Sequence, residues 1–256
     1  MHILITNDDG VTAPGLLALA QAMRNLGRVT VLAPNKNWSA SGHVKTLHKP
    51  LRLSKTHLAD GSEALTTDGA PSDCVALALL GILDETVDLV VSGINPAANI
   101  GHDLTYSGTV TAAMEAAIWG LPGIAVSADL QTRDPQLEDF ETAALAAARV
   151  VEKVKENGLP EGRFLSVNVP HVAPQDVKGF AITRQGMRVY RDELVRREDP
   201  QGRPYYWIGG DPPSGVMLED TDFWALGEGM VSVTPLQLDL TDLDMISKFD
   251  SWDLSL

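Results

Sequence analysis

Positive charge is scarce in this chain. Lys and Arg number 20 against 34 Asp and Glu over 256 residues, a formal net charge of −14. A surface that neutralises nucleic-acid phosphates needs clustered Lys and Arg, so duplex DNA and RNA are excluded as partners. A small phosphorylated substrate is not excluded, because one cation and a few backbone N–H groups can hold it locally. Cysteine is nearly absent too. The lone Cys74 rules out an intrachain disulfide and any cysteine-rich metal site, and its place in an apolar run (residues 74–80) marks it as a packed core thiol. No apolar stretch approaches the roughly 18 residues of a membrane span. The chain opens directly on a strand pattern without the charged, apolar and small-residue order of a signal, so a soluble, cytoplasmic protein is expected.

Several signatures of phosphate and acyl chemistry are also missing. There is no G-x-x-x-x-G-K-[ST] P-loop, and no G-x-G-x-x-G follows the first strand. No G-x-S-x-G elbow occurs, and the six histidines show no zinc-ligand spacing such as H-E-x-x-H.

What is present alternates between strand and helix. Residues 2–6, 28–33, 87–92, 123–127 and 164–169 read as strands, and residues 51–66 as two short strands around Ala59-Asp60-Gly61. Helical spacing falls on residues 14–25, 71–83, 109–119 and 140–156, the first two opened by a proline. This order predicts an α/β fold, a mostly parallel sheet with helices on both faces. Beyond about residue 177 the texture changes. Residues 199–215 are rich in Gly and Pro yet contain the β-prone Tyr205-Tyr206-Trp207-Ile208. A projecting β-hairpin is expected there, used in oligomerisation because exposed aromatics want a partner surface. The alternative is a hairpin folded back on its own domain. The division expected is a core of residues 1–180 completed by 220–240, an arm of 181–219 and a tail of 241–256.

Four polar loops follow strands. The first is the sharpest: residues 3–10 read I-L-I-T-N-D-D-G, a buried strand that delivers Asp8 and Asp9 to the rim of a sheet. Like charges this close repel unless a cation lies between them, and ligands of open α/β sheets bind beyond the carboxyl ends of strands. Asn, Asp and Gly are equally the residues of an ordinary turn. The second loop runs over residues 33–43, the third over 92–102, and the fourth is Tyr106-Ser107-Gly108-Thr109, which opens straight into a helix. Carboxylates with hydroxyl and amide oxygens suit Mg²⁺, Mn²⁺ or Ca²⁺. A Ser-Gly-Thr helix start suits phosphate, although Ser and Thr there also serve as plain helix caps. Adjacent side chains on extended backbone point opposite ways, so Asp8 and Asp9 reach one ion only if the strand breaks at Gly10. The pair is not the spaced D-x-D of aspartyl-phosphate formers, which favours a metal-activated water over a covalent carboxylate. His43 and His102 are candidate acids for a leaving group, although a loop histidine is more often structural.

With these loops assembled, the chain resembles the SurE family of survival-protein nucleotidases. The matching segments are I-T-N-D-D-G (residues 5–10), S-A-S-G-H (39–43), S-G-I-N (92–95) and Y-S-G-T-V (106–110). They continue with Y-R-D-E (190–193), P-Y-Y-W-I-G-G (204–210), T-D-F-W-A-L (221–226) and V-S-V-T-P-L (231–236). The resemblance implies a Rossmann-like core and dimers or tetramers built by exchanged C-terminal elements. It implies a metal-dependent phosphomonoesterase acting on nucleoside 5′-monophosphates, with 3′-nucleotidase or polyphosphatase activity often alongside. It further implies that Asp8, Asp9, Ser39 and Asn95 ligate one divalent ion, Mg²⁺ or Mn²⁺, and that Ser107, Gly108 and Thr109 contact phosphate. Beside the resemblance, His43 is expected on the substrate side. A non-catalytic nucleotide-binding protein on the same fold is the alternative. One departure stands out: Pro96-Ala97 follows Asn95 where the family usually places a glycine two residues on.

Overall fold

The computed structural model describes residues 1–130, 132 and 134–254. Its first half lays down β1 (His2–Thr6), α1 (Pro14–Met23), β2 (Arg28–Pro34), β3 (Leu53–His57), β4 (Glu63–Thr67), α2 (Pro71–Leu77), β5 (Leu89–Asn95) and α3 (Gly108–Ile118). The rest comprises β6 (Gly123–Asp129), α4 (Glu141–Asn157), β7 (Arg163–Pro170), β8 (Phe180–Ile182), β9 (Arg188–Glu198), β10 (Pro204–Gly215), α5 (Asp222–Gly227), β11 (Val231–Gln237) and α6 (Leu243–Phe249). Nine strands form one sheet in the order β3-β4-β2-β1-β5-β6-β7-β11-β8. The run from β4 to β7 is parallel throughout, while β3 pairs antiparallel with β4 and β11 antiparallel with β7. The fold is therefore the α/β, mostly parallel architecture expected.

The apolar strands explain the two helical layers. Side chains alternate faces along a strand, so a run that is apolar at every position must be covered on both sides. In β1, Ile3 and Ile5 pack under Leu16, Leu19 and Met23 of α1 and the alanines of α4. Leu4 points the other way, among Cys74 and Val75 of α2 and Ala112 and Ala116 of α3. Cys74 is fully buried there and unpaired, and burial pushes its thiol pKa far up.

Strand order places the site. β1 pairs with β2 on one side and with β5 on the other, so the connections leaving β1 and β5 diverge and open a crevice at their carboxyl ends. The helix after β5, α3, lies close against the sheet because its inner face is small. A methyl group at Gly123 of β6 would sit 2.1 Å from the Ala113 carbonyl oxygen, so glycine there permits direct backbone contact.

β9 and β10 form a separate two-stranded antiparallel sheet, the projecting hairpin expected. Trp207 and Ile208 are 63% and 83% exposed on it, so these apolar side chains are not folded back on the chain's own core. Three short elements were not expected from the sequence: β8, α5 and α6. The helix expected over residues 71–83 keeps regular α geometry only to Leu77, then continues as a looser turn in which Gly81 takes φ +107. Among the described residues no helix is long and apolar enough to cross a membrane.

The Gly123 contact makes a prediction. Gly123→Ala should lower stability by about 2 kcal/mol, the usual scale for overpacking a dense interior. Urea unfolding would read it, and an unchanged midpoint would mean that α3 can retreat from the sheet.

Candidate metal and phosphate site

The turn after β1 is held by its own residues. Asn7, wholly buried, donates from Nδ2 to the Gly10 carbonyl (3.0 Å) and accepts the Gly10 N–H at Oδ1 (3.2 Å). Gly10 has φ +104, a conformation other residues rarely adopt, so the strand breaks there as the diacid reading requires. The two carboxylates part company. Asp8, 3% exposed, turns toward α3 and accepts the Thr109 hydroxyl at Oδ1 over 2.6 Å. Asp9, half-buried, turns toward the second loop and accepts Asn37 Nδ2 at Oδ1 over 3.2 Å.

Electrostatics at this pair are unbalanced. Burial raises the pKa of Asp8, only partly offset by the Thr109 hydroxyl and the N–H groups of Gly108 and Thr109. Burial and then the neighbouring Asp8 charge push Asp9 up to about 7. Among the described residues neither carboxylate has an ion-pair partner. A buried acid beside a half-buried one, without a cation, is what a divalent ion would relieve. Among the described residues no group of three or more His, Cys, Asp or Glu could hold a metal. A complete ligand set here therefore needs neutral oxygens besides Asp8 and Asp9.

Such oxygens lie on the neighbouring loops. The Trp38 N–H donates to the Asp8 carbonyl (2.7 Å), and the Ser39 N–H donates to Asn37 Oδ1 (2.7 Å). Asn37 thus ties the Asp9 carboxylate to the backbone of Ser39, whose side chain is exposed. Asn95 stands at the end of β5, beside β1. Its Nδ2 donates to the Ala97 carbonyl at 2.6 Å, which orients the amide and leaves Oδ1 for another partner. The Pro96-Ala97 departure is therefore built into the loop: Ala97 orients Asn95, and the Pro96 carbonyl accepts the Leu130 N–H at 3.0 Å.

α3 begins against Asp8. The Ser107 hydroxyl caps the helix by accepting the Val110 N–H (3.1 Å), so its own proton remains available as a donor. Thr109 spends its proton on Asp8. A methyl at Gly108 would stand 2.8 Å from the Asp8 Cβ and 3.2 Å from the Ser41 Oγ, so only glycine lets these three segments meet. The buried Ser41 hydroxyl finds no hydrogen-bond partner among the described residues. At this helix start the Ser107 hydroxyl acts as a cap, one of the two readings of the sequence, and the Thr109 hydroxyl holds Asp8.

Among the described residues neither candidate histidine bonds to Asp8 or Asp9. His43 Nε2 donates to Glu115 Oε2 at 2.7 Å, and Glu115 lies about 10 Å along the α3 axis from Gly108. His102 is exposed, and its carbonyl accepts the Thr105 hydroxyl (2.8 Å). Glu115, 2% exposed, also accepts Lys45 Nζ (3.2 Å) and Trp119 Nε1 (2.9 Å), pinning the second loop to α3. Asn37, Ser41 and Glu115 are the site-related residues that sequence reasoning passed over. Only Glu115 carries a sequence signal, as the one charged residue of the small, apolar α3 segment.

Comparison with known proteins agrees with this architecture. Residues 3–192 match the family described as Survival protein SurE. A 5′-nucleotidase SurE of Chloroflexus aggregans is 51% identical over 253 residues, spanning 99% of both chains. One from Geobacter sulfurreducens is 49% identical over 255 residues, 100% of this chain and 95% of its own. The crystal structure of the SurE protein from Aquifex aeolicus superposes with a TM-score of 0.82 at 40% identity, covering 98% of each chain.

Glu115 makes the prediction for this region. Burial alone would raise its pKa, but hydrogen bonds from His43, Trp119 and Lys45, with the Lys45 charge, outweigh that and hold it at about 2. A carboxylate depressed from 4.5 stabilises the fold above that pH and loses its contribution as pH falls toward 2. Glu115→Gln should therefore cost about 2 kcal/mol at neutral pH, after discounting for the water that reaches Lys45. The gap between wild type and variant, measured by urea unfolding, should close between pH 4.5 and 2. A gap constant with pH would show that the Glu115 charge contributes nothing.

Proposed function

We propose that this chain, which belongs to the SurE family and is a 5′-nucleotidase, hydrolyses nucleoside 5′-monophosphates to nucleoside and phosphate with the help of one divalent cation per subunit. The observation that carries this reading is the adjacent Asp8–Asp9 pair, one carboxylate buried and the other half-buried, unpaired with any positive group among the described residues and lying at the crevice between β1 and β5. A protein that merely bound nucleotide would be hindered by two adjacent carboxylates facing a phosphate.

Asp8, Asp9, Ser39 and Asn95 would hold the ion, with Mg²⁺ or Mn²⁺ matching their oxygen donors. When bound, it supplies positive charge to the phosphoryl oxygens and acidifies an attacking water. The chain's own groups do the rest. Thr109 fixes Asp8, while Asn37 fixes Asp9 through Oδ1 and leaves Oδ2 for the cation or a water. The Ser107 proton, the start of α3 and the unpartnered Ser41 hydroxyl offer donors to the phosphoryl oxygens as charge spreads over them. His43 is retained on the substrate side, its ring held by Glu115. Because these contacts address the phosphoryl group, 3′-nucleotides and short polyphosphates are secondary substrates. The reading places the enzyme in the cytoplasm. It gives residues 1–180, completed by 220–240, as the catalytic core, with the arm of 181–219 and the tail of 241–256 joining subunits into a homodimer or homotetramer.

The test is phosphate release from metal-stripped protein offered AMP, GMP, CMP, UMP, a 3′-nucleotide and tripolyphosphate, each with Mn²⁺, Mg²⁺ or EDTA. Release from the 5′-monophosphates that needs metal is expected, and silence with every metal from folded protein would overturn the reading. Asp8→Asn should lower turnover about 100-fold or more and weaken metal binding. Asn37→Ala, which frees Asp9 without removing a proposed ligand, should weaken metal affinity by about 10-fold. Wild-type turnover in Asp8→Asn would sink the ligand assignment.

A further inference from the structure

The short helical turn Gly101–Thr105 connects the loop after β5 to the Ser107–Thr109 segment, and residues from far along the chain clasp it. Tyr190 donates its hydroxyl to Asp103 Oδ1 over 2.6 Å, and Arg188 Nη2 reaches Asp103 Oδ2 at 2.9 Å. Both belong to the foot of β9, where the projecting arm leaves the core. The start of the turn is held as firmly. Asp222, 1% exposed, accepts the Gly101 N–H (2.8 Å) at one oxygen and the N–H groups of Gly186 and Phe223 (each 2.9 Å) at the other. Gln185 donates to the Gly101 carbonyl at 2.9 Å. Gly101 has φ +57, and a methyl there would stand 2.9 Å from the Phe223 ring, so chain and clasp are in direct contact.

From Asp103 the chain needs only four residues to reach Ser107, and the fixing continues along them. The Tyr106 N–H donates to the Asp103 carbonyl (3.0 Å), and the Tyr106 carbonyl accepts the Gly42 N–H (2.9 Å). A shift of Asp103 therefore cannot be absorbed by slack before the helix cap.

We propose that Asp103 is a positioning residue for the phosphate segment, gripped by Arg188 and Tyr190 so that the foot of the arm sets where Ser107 and Gly108 stand. The inference rests on the proposed role of residues 107–109 in phosphate binding. The chemistry of the grip suits a permanent brace. Hydrogen bonds to a charged partner are the stronger kind, and the guanidinium stays ionised at any working pH. Burial, then the Asp103 bond and charge, raise the Tyr190 pKa to about 12, so the phenol remains a donor. In this assignment Asp103 acts on the phosphate segment through the four residues that follow it.

The experiment compares full-length wild type with Asp103→Asn, Tyr190→Phe and the double variant. It reads amide hydrogen exchange over residues 101–108, steady-state kinetics with a nucleoside 5′-monophosphate, and Mn²⁺ affinity by calorimetry. Each single variant should speed exchange in this segment and raise KM by about five-fold. The kcat should stay within about two-fold and Mn²⁺ affinity should not move, because the proposed ligands are untouched. The double variant should be no worse than the poorer single, the mark of two groups in one contact. Unchanged exchange in both folded singles would overturn the brace. Faster exchange with unchanged KM, or losses that add in the double, would overturn the positioning role. Wild-type protein that hydrolyses no nucleotide would fell the functional reading by itself, and the exchange data would still report on the brace.

Discussion

One hydrogen bond joins the parts on which the candidate site depends: the Thr109 hydroxyl on the Asp8 carboxylate, 2.6 Å long between residues 101 apart. It links the end of the central strand to the start of the helix that follows the neighbouring strand. A buried carboxylate needs donors, and the first turn of a helix has unpaired N–H groups and a favourable dipole for negative charge. Each requirement meets the other. The bond also sets steric demands elsewhere. Gly108 must lack a side chain for Asp8 and Ser41 to approach, and Gly123 must lack one for α3 to settle onto β6. The glycines of this region follow from that contact.

An acidic protein has put several of its carboxylates to work inside. Asp73 accepts the N–H and hydroxyl of Thr46 and the N–H of Ala70, tying the chain just beyond the second loop to α2. Glu115 ties the same loop to α3 through His43 and Lys45. Asp222 gathers Gly101, Gly186 and Phe223. In each case a carboxylate too costly to bury alone accepts several donors, and most of those donors belong to loops with no regular structure of their own. Asp8 and Asp9 differ from these three because they are adjacent, and the Asp8 charge adds to burial in pushing the pKa of Asp9 up to about 7.

Much of this was legible in the sequence, for identifiable reasons. β1, β5 and their helices announce themselves because strands covered on both faces are apolar at every position. The four polar loops stand out because they interrupt that texture with Gly, Asn and hydroxyl residues at strand ends. What stayed hidden has no local pattern. Asn37 looks like its neighbour Asn35 until the fold points it at Asp9. The grip on Asp103 comes from residues 85 and 87 positions away, and nothing in Y-R-D-E says where its tyrosine points. β8 has three residues and α5 six, too few for a period to emerge. The hairpin was legible because its strands are long and its β-prone aromatics adjoin a Gly- and Pro-rich stretch.

The single thiol supplies a tool that the fold has built in. Cys74 faces the central strand from α2, fully buried and with its pKa raised by burial, so it is inert while that face stays closed. A thiol reagent can react only when α2 lifts away or the whole domain opens. In native buffer, labelling of this one sulfur would therefore time the opening of the sheet's α2 face in unmodified protein, with no competing cysteine to obscure the signal. The chain's near lack of cysteine leaves it with one internal clock, packed against the strand that leads to Asp8 and Asp9.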